Sequence, residues 1–275
     1  MSLSVFLIGD TSRPEFREAC AALEEVAHVI RLADVDAAAA ALVKDPLTPH
    51  GIVLVQSHPG QLAADPRIRG CPEVERLRGL APLCRLIVLL GSWCEGEPRS
   101  GHPLPGVVRV YWHEAAVRFR REFPRWCTPD SAWSLPTTAT DEERLLALLA
   151  TSLPTGTGLV AVWTRRREMA GLLADTCRMA GYATAWLHPR LPGRVQGAAA
   201  AIFDADALDT ATLDELKQFA AHIAPAPVLV LLGAPRIQDV RLARALGAVV
   251  MAKPFRVDEL LWALATAMPS GQHKA

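Results

Sequence analysis

Short apolar runs of strand length alternate with amphipathic segments of helix length along the whole chain, and few folds accept that alternation. A strand that is apolar at nearly every position must be covered on both faces, and helices connecting parallel strands supply that cover. In the first half the runs predict strands over Ser4–Ile8, His28–Leu32, Gly51–Val55, Arg85–Leu90 and Val107–Tyr111. The second half repeats the layout with Leu159–Trp163, Thr184–Leu187, Ala199–Phe203, Val228–Leu232 and Val249–Ala252. The fourth strands read alike, Ile87-Val88-Leu89-Leu90-Gly91 against Leu229-Val230-Leu231-Leu232-Gly233, and the fifth follows at nearly equal spacing in each half. A degenerate duplication is the economical explanation. The expected fold class is α/β, with two doubly wound parallel five-stranded sheets in tandem.

Helix signals fit between these strands. Phe16, Cys20, Leu23 and Ala27 recur at three- and four-residue spacing behind Pro14, which suits a first-turn position. In the second half Met169, Leu172 and Met179 mark a helix that Gly181 can stop in the left-handed region. Thr212 and Glu215 form a capping box ahead of Leu216, Phe219 and Ile223, and a last helix runs from Val257 to Ala267. The predicted domains are 1–124 and 158–270. The segment 125–157 between them, with Pro129, Pro136 and Pro154, reads as a linker. One helix interrupts it, capped by Thr140 with Glu143 and apolar through Leu145, Leu146 and Leu149.

Composition removes several classes of function. The 29 Lys+Arg balance the 29 Asp+Glu, so no net field recruits nucleic acid or an anionic membrane. The longest apolar stretch, Ala224 to Pro235, is too short to span a bilayer. The first residues lack a basic n-region and reach Asp10, so they read as a strand and place the chain in the cytoplasm. Six cysteines form no CxxC pair and are expected as reduced, mostly buried thiols. No Walker sequence, dinucleotide fingerprint, EF-hand or nucleophile elbow occurs, so neither a cofactor nor a metal is expected.

The string Gly247-Ala248-Val249-Val250-Met251-Ala252-Lys253-Pro254-Phe255-Arg256-Val257-Asp258-Glu259-Leu260-Leu261 resembles the fifth strand, Lys-Pro-Phe turn and last helix of response-regulator receiver domains. Those are flavodoxin-like signalling modules, and the resemblance runs from Gly158 to Met268. It implies a phosphoaccepting role for Asp204, which follows Ala-Ala-Ile-Phe, and a partner role for Lys253. The chemistry departs elsewhere. An active receiver holds Mg²⁺ on an acidic pair after its first strand, and here Trp163 and Thr164 stand there, followed by Arg165, Arg166 and Arg167. Leu232 or Gly233 replaces the hydroxyl that reads the phosphoryl oxygen after strand four. In the first half Gln56 occupies the acceptor place, and Asp10 alone remains of the acidic pair. Gly91 and Ser92 end strand four, and Tyr111-Trp112-His113 stands in place of the lysine and proline.

Ligands of open α/β sheets bind beyond the carboxyl ends of the strands, which concentrates two groups of candidates. The first is a degenerate phosphoacceptor pocket of Asp204, Lys253, Thr164, Arg165, Leu232 and Gly233. Asp204 or Asp206 is expected to pair with Arg165 or Lys253, an ion pair replacing the metal. The alternatives are solvated arginines on an exposed turn and a cationic pocket for an acidic partner or a nucleotide phosphate. The second group is a loop in place of a helix, carrying Trp93, Glu95, Glu97, Arg99 and His102, with Tyr111, Trp112 and His113 beside it. It reads as a partner-binding loop or as simple cover for the sheet edge.

The resulting expectation is a non-catalytic tandem pseudo-receiver, an interaction or adaptor module in bacterial two-component-type signalling. Its expected partner is another signalling protein, with an intramolecular domain contact or a homodimer as further options. The alternatives are a phosphorylatable response regulator using Asp204, and a two-domain nucleotide-sugar-type transferase. The tail after Met268 is too short for a DNA-binding effector, so output is expected to pass through another protein or the first domain.

Overall fold

The computed structural model describes residues 3–44, 49–62, 71–96, 106–126, 153–189 and 195–268, together with residues 104, 128, 131, 133–136, 139–140, 142–143 and 146–147. The chain divides into two compact units, Met1–Thr151 and Ser152–Ala275.

In the first unit the strands are β1 (Ser4–Ile8), β2 (His28–Leu32), β3 (Gly51–Gln56), β4 (Arg85–Leu90) and β5 (Val108–Tyr111). The helices that cover the sheet among the described residues are α1 (Arg17–Val26), α2 (Val35–Lys44), α3 (Pro72–Leu80) and α4 (Trp112–Glu122). All pairings are parallel, in the order β2-β1-β3-β4-β5. β3 and β4 are buried along their whole length, which is why Ile52 to Val55 and Leu86 to Leu90 are continuously apolar. Alternate residues of these strands serve opposite faces. Phe6, Ile8, Ile52, Leu54, Leu86 and Val88 meet Ala38 of α2 and Val74 and Leu77 of α3. On the other face α1 packs against α4, with Phe16, Leu23 and Phe119 fully enclosed. Pro14 opens a 3-10 turn, Pro14–Phe16, that leads into α1.

The second unit holds β6 (Leu159–Trp163), β7 (Ala183–Leu187), β8 (Ala198–Asp204), β9 (Val228–Leu232) and β10 (Val249–Ala252). Its helices are α5 (Arg167–Met179), α6 (Thr210–Ile223), α7 (Ile237–Ala245) and α8 (Val257–Ala267). Its order, β7-β6-β8-β9-β10, is again parallel and repeats the first sheet strand for strand. Val160, Val162, Ile202, Leu229 and Leu231 pack under Leu173 and Cys177 of α5 and Leu260 and Leu264 of α8. Ala161, Trp163, Phe203, Val230 and Leu232 meet Leu216 and Phe219 of α6 and Ala243 of α7. Two helices cover each face, as a doubly wound sheet requires.

Several local expectations need correction. α6 begins two residues before Thr212, because the Asp209 carboxylate accepts the Thr212 N–H at 2.8 Å and so provides the N-cap. In α5 the buried positions are Ala170, Leu173, Thr176 and Cys177, while Leu172 and Met179 lie on the outer face. Gly181 does stop this helix at φ +87°. The Thr140 and Glu143 cap is reciprocal, at 3.2 Å and 2.7 Å, but Leu146 beyond it is exposed, and Leu145 and Leu149 lie outside the described residues.

Part of the expected linker belongs to the first unit's core. Trp126 stacks on Phe123 at 5.0 Å between ring centroids, Trp133 meets Phe119 and Phe123 edge-on, and the Arg85 Nε donates to the Trp133 carbonyl at 2.9 Å. Cys20, Cys71, Cys84, Cys94 and Cys177 are buried free thiols, and Cys127 lies outside the described residues. Burial pushes the Cys84 thiol up to about 12 and the Cys177 thiol up to about 11. Among the described residues no helix is long and apolar enough to cross a membrane.

His113, in the first turn of α4, is a stability device of a different kind. Its ring stacks on Tyr111 at 5.8 Å and its Nδ1 is buried without a hydrogen-bond partner. Burial lowers its pKa below the ordinary 6.5, against the upward pull of Glu114 and Glu95. The unfolded chain therefore takes up a proton that the folded chain refuses, so stability falls as pH drops below about 6.5. Urea melts at stepped pH should show this loss, with a slope of up to about 1.4 kcal/mol per pH unit, and His113→Phe should flatten it. A wild-type slope equal to that of the variant would contradict the assignment.

Candidate functional site

In the second unit three strand ends converge on one carboxylate. Asp204 is the last residue of β8, Thr164 follows β6 and Lys253 follows β10. The Thr164 Oγ1 donates to one oxygen of Asp204 at 2.7 Å and the Lys253 Nζ donates to the other at 2.6 Å. Asp204 is 4% exposed and Thr164 fully buried, so both oxygens meet protein donors with little access to water. Burying a carboxylate without such donors costs several kcal/mol, and charge-assisted bonds at this length offset that cost. Backbone bonds hold the frame: the Lys253 N–H reaches the Leu232 carbonyl at 2.6 Å, and the Gly233 N–H reaches the Asp206 carbonyl at 3.0 Å. A Cβ on Gly233 would stand 3.1 Å from that carbonyl oxygen.

The basic run divides its partners. Arg166 Nη2 donates to Asp206 Oδ1 at 2.7 Å, and Lys253 lies 3.6 Å from the same oxygen. Arg165 pairs with Glu215 instead, and its guanidinium lies 5.5 Å from the centroid of the Trp163 ring, so it is not the partner of Asp204 or Asp206. These outer pairs are exposed and individually worth little. Leu232 departs from expectation as well, because its side chain is buried in the core toward α6 and only its carbonyl serves the site. A cleft of about 270 Å³ remains beside Asp204, lined by Trp163, Arg165, Arg166, Asp206 and Asp209. The sequence reading placed Asp206 at this edge but did not pair it with Arg166, and it missed Trp186. The Trp186 indole on edge strand β7 donates to the Thr164 carbonyl at 3.1 Å.

The first unit closes the corresponding edge with other residues. Gln56 ends β3 as Asp204 ends β8, and it donates to the His58 carbonyl at 3.2 Å. The buried carboxylate here is Glu15, which accepts from the Ser92 hydroxyl at 2.7 Å and from the Ser92 N–H at 3.3 Å. Arg13 approaches Glu15 at 3.4 Å and donates to the Ser57 carbonyl at 3.3 Å. Neither Glu15 nor Arg13 carries a sequence signal beyond standing after the first strand. Asp10 stays exposed, and hydrogen bonds from Ser12 lower its pKa.

Of the loop candidates, Glu95, Tyr111, Trp112 and His113 come together. Trp112 is a correction: it is 3% exposed, with its indole N–H donated to Glu95 Oε1 at 2.9 Å, so it packs inward and offers no interface surface. His113 Nε2 lies 3.9 Å from that same oxygen. Trp93, in a 3-10 turn over Ser92–Cys94, stands apart at 67% exposure, with the His58 ring 6.3 Å away. Glu97, Arg99 and His102 lie outside the described residues. No cluster of three or more His, Cys, Asp or Glu side chains suited to a metal occurs among the described residues.

No family model and no curated protein matches the chain. Solved structures do. The chemotaxis protein CheY4 of Vibrio cholerae is similar at 18% identity over 41% of this chain and 99% of its own, with a TM-score of 0.35. Full-length FixJ from B. japonicum is similar at 29% identity, covering 40% of this chain and 57% of its own length, with a TM-score of 0.31. The E. coli RcsC C-terminus, a linker region and phosphoreceiver domain, is similar at 13% identity over 97% of this chain and 93% of its own, with a TM-score of 0.31. In its own right, the parallel 2-1-3-4-5 order of both sheets gives each unit the receiver-like fold.

Proposed function

We propose that the chain is a cytoplasmic tandem pseudo-receiver, a non-catalytic interaction module in two-component-type signalling. The observation that carries this reading is what surrounds Asp204: a neutral hydroxyl donates to one oxygen and an ammonium to the other, with Trp163 and Thr164 standing where an active receiver carries its metal-holding acidic pair. Phosphoryl transfer to a carboxylate needs a free oxygen nucleophile and a cation to neutralise the phosphoryl oxygens. A Mg²⁺ ion in such a pocket is held largely by carboxylate oxygens, and at the end of β6 the chain offers the Trp163 indole and the neutral Thr164 hydroxyl instead. The pocket therefore holds one arrangement without a ligand. The similar solved structures include named chemotaxis, response-regulator and phosphoreceiver proteins, which supports a signalling context.

Recognition is assigned to the first unit, through Trp93. An exposed indole on an ordered turn at the carboxyl edge of the sheet is the kind of residue that anchors protein interfaces. The partner is another signalling protein.

The reading is tested by treating the full chain with a small acyl phosphate and Mg²⁺, then measuring intact mass, with Asp204→Asn as control. No Asp204-dependent phosphate adduct is expected. An adduct that requires Mg²⁺ and disappears in the control would instead make the chain a phosphorylatable regulator.

A further inference from the structure

Glu15 is the least expected residue of the first unit's carboxyl edge. It stands in a turn where Pro14 presets the backbone and Phe16, fully buried, anchors the chain to the core, so the intervening side chain is aimed across the sheet end. There its two oxygens take both donors of Ser92, the hydroxyl at 2.7 Å and the backbone N–H at 3.3 Å. Room for this comes from Gly91. A Cβ at that position would sit 2.5 Å from Glu15 Oε1, 3.1 Å from the Phe16 ring and 3.3 Å from the Ser57 Cα.

Ser92 also begins the 3-10 turn that carries Trp93, and the Cys94 N–H closes that turn on the Gly91 carbonyl at 2.9 Å. A turn of three residues has little strength of its own. Its first residue is held from across the sheet by a buried carboxylate, and its exposed residue is the indole.

We propose that Glu15 is a built-in ligand of the first unit, a positioning residue that pins Ser92 and so fixes the turn that presents Trp93 to a partner. The inference rests on the assignment of Trp93 as the contact residue. A carboxylate carried by the β1–α1 connection does from inside the chain what an external anion would do at that edge, so presentation of Trp93 needs no signal. The same three kinds of group recur at the second unit's edge, where Asp204, Thr164 and Lys253 supply carboxylate, hydroxyl and cation from different strands. In the first unit they are Glu15, Ser92 and Arg13.

The test uses the full chain labelled with 5-fluorotryptophan, with the Trp93 signal assigned by its loss in Trp93→Phe. Two substitutions release the carboxylate differently: Glu15→Gln removes its charge, and Gly91→Ala pushes the flexible end of Glu15 away. In both, the Ser92 amide should exchange at least about tenfold faster, the loss expected for a hydrogen bond to a charged acceptor. The Trp93 signal should move toward that of free fluorotryptophan, while the signals of buried Trp126 and Trp133 stay in place. A purely structural role would move the buried signals too, and that result would overturn the proposal. So would unchanged exchange and an unchanged Trp93 signal. Should neither variant fold, Ser92→Ala, which removes the hydroxyl alone, decides on the same readouts. The assignment of Trp93 fails separately, if Trp93→Ala still binds every partner that the wild-type chain binds.

Discussion

A carboxylate enclosed at the end of a parallel sheet must find donors, and that requirement organises the functional edge of each unit. In the second unit the sheet itself buries most of Asp204, because β8 lies between β6 and β9 and its last residue is left 4% exposed at the rim of a cleft. Thr164 and Lys253 then meet the two oxygens from either side. Lys253 is tied by its own backbone to the end of β9, and Thr164 is gripped from above by Trp186, so the donors are held before the carboxylate needs them. Removing one partner of such a buried pair typically costs about 3–5 kcal/mol, far more than any of the exposed arginine pairs around it.

The first unit meets the same requirement without the same residues. Its third strand ends in Gln56, a neutral side chain satisfied by the neighbouring His58 carbonyl, and the buried charge is imported by Glu15 from the connection after β1. A shared sheet topology thus fixes where a buried polar cluster can form, and leaves open which strand supplies each member. This is how two halves with so little in common by residue at their edges carry one architecture, and why fold alone says little about chemistry.

The ten strands among the described residues were legible in the sequence: the central ones, such as Ile87 to Leu90 and Leu229 to Leu232, are apolar throughout because both faces are buried, and the more exposed edge strands β2, β7 and β10 read as short runs at matching places in the alternation. Helix faces were less so. In α5 Leu172 and Met179, two of the three residues read as its core face, point outward, and the packing is done by Leu173 with the smaller Ala170, Thr176 and Cys177. The Asp204–Lys253 pair was among the expected pairings, through the resemblance of the Lys-Pro-Phe string and the strand order that it implies. Of the two cations expected as partners Lys253 is the one that pairs, because three consecutive arginines offer no signal for which one turns toward which acid, and the helix after β8 supplies Glu215 to Arg165. Glu15 was invisible for another reason: its significance depends on Gly91 and Ser92, more than seventy residues away. Trp112 looked like an interface aromatic until Glu95 gave its indole a buried partner.

The central claim is that the Lys253 ammonium takes the metal's place beside Asp204. It is tested most directly by titrating the full chain with Mg²⁺ and following the backbone amide signals of Thr164, Ala205 and Lys253 by NMR. The account predicts no saturable shift through the millimolar range, because Lys253 already neutralises Asp204 and the neutral Thr164 stands where a metal-holding carboxylate would be. A saturable millimolar transition confined to those amides, abolished by Asp204→Asn, would show that the metal displaces the threonine and would contradict it.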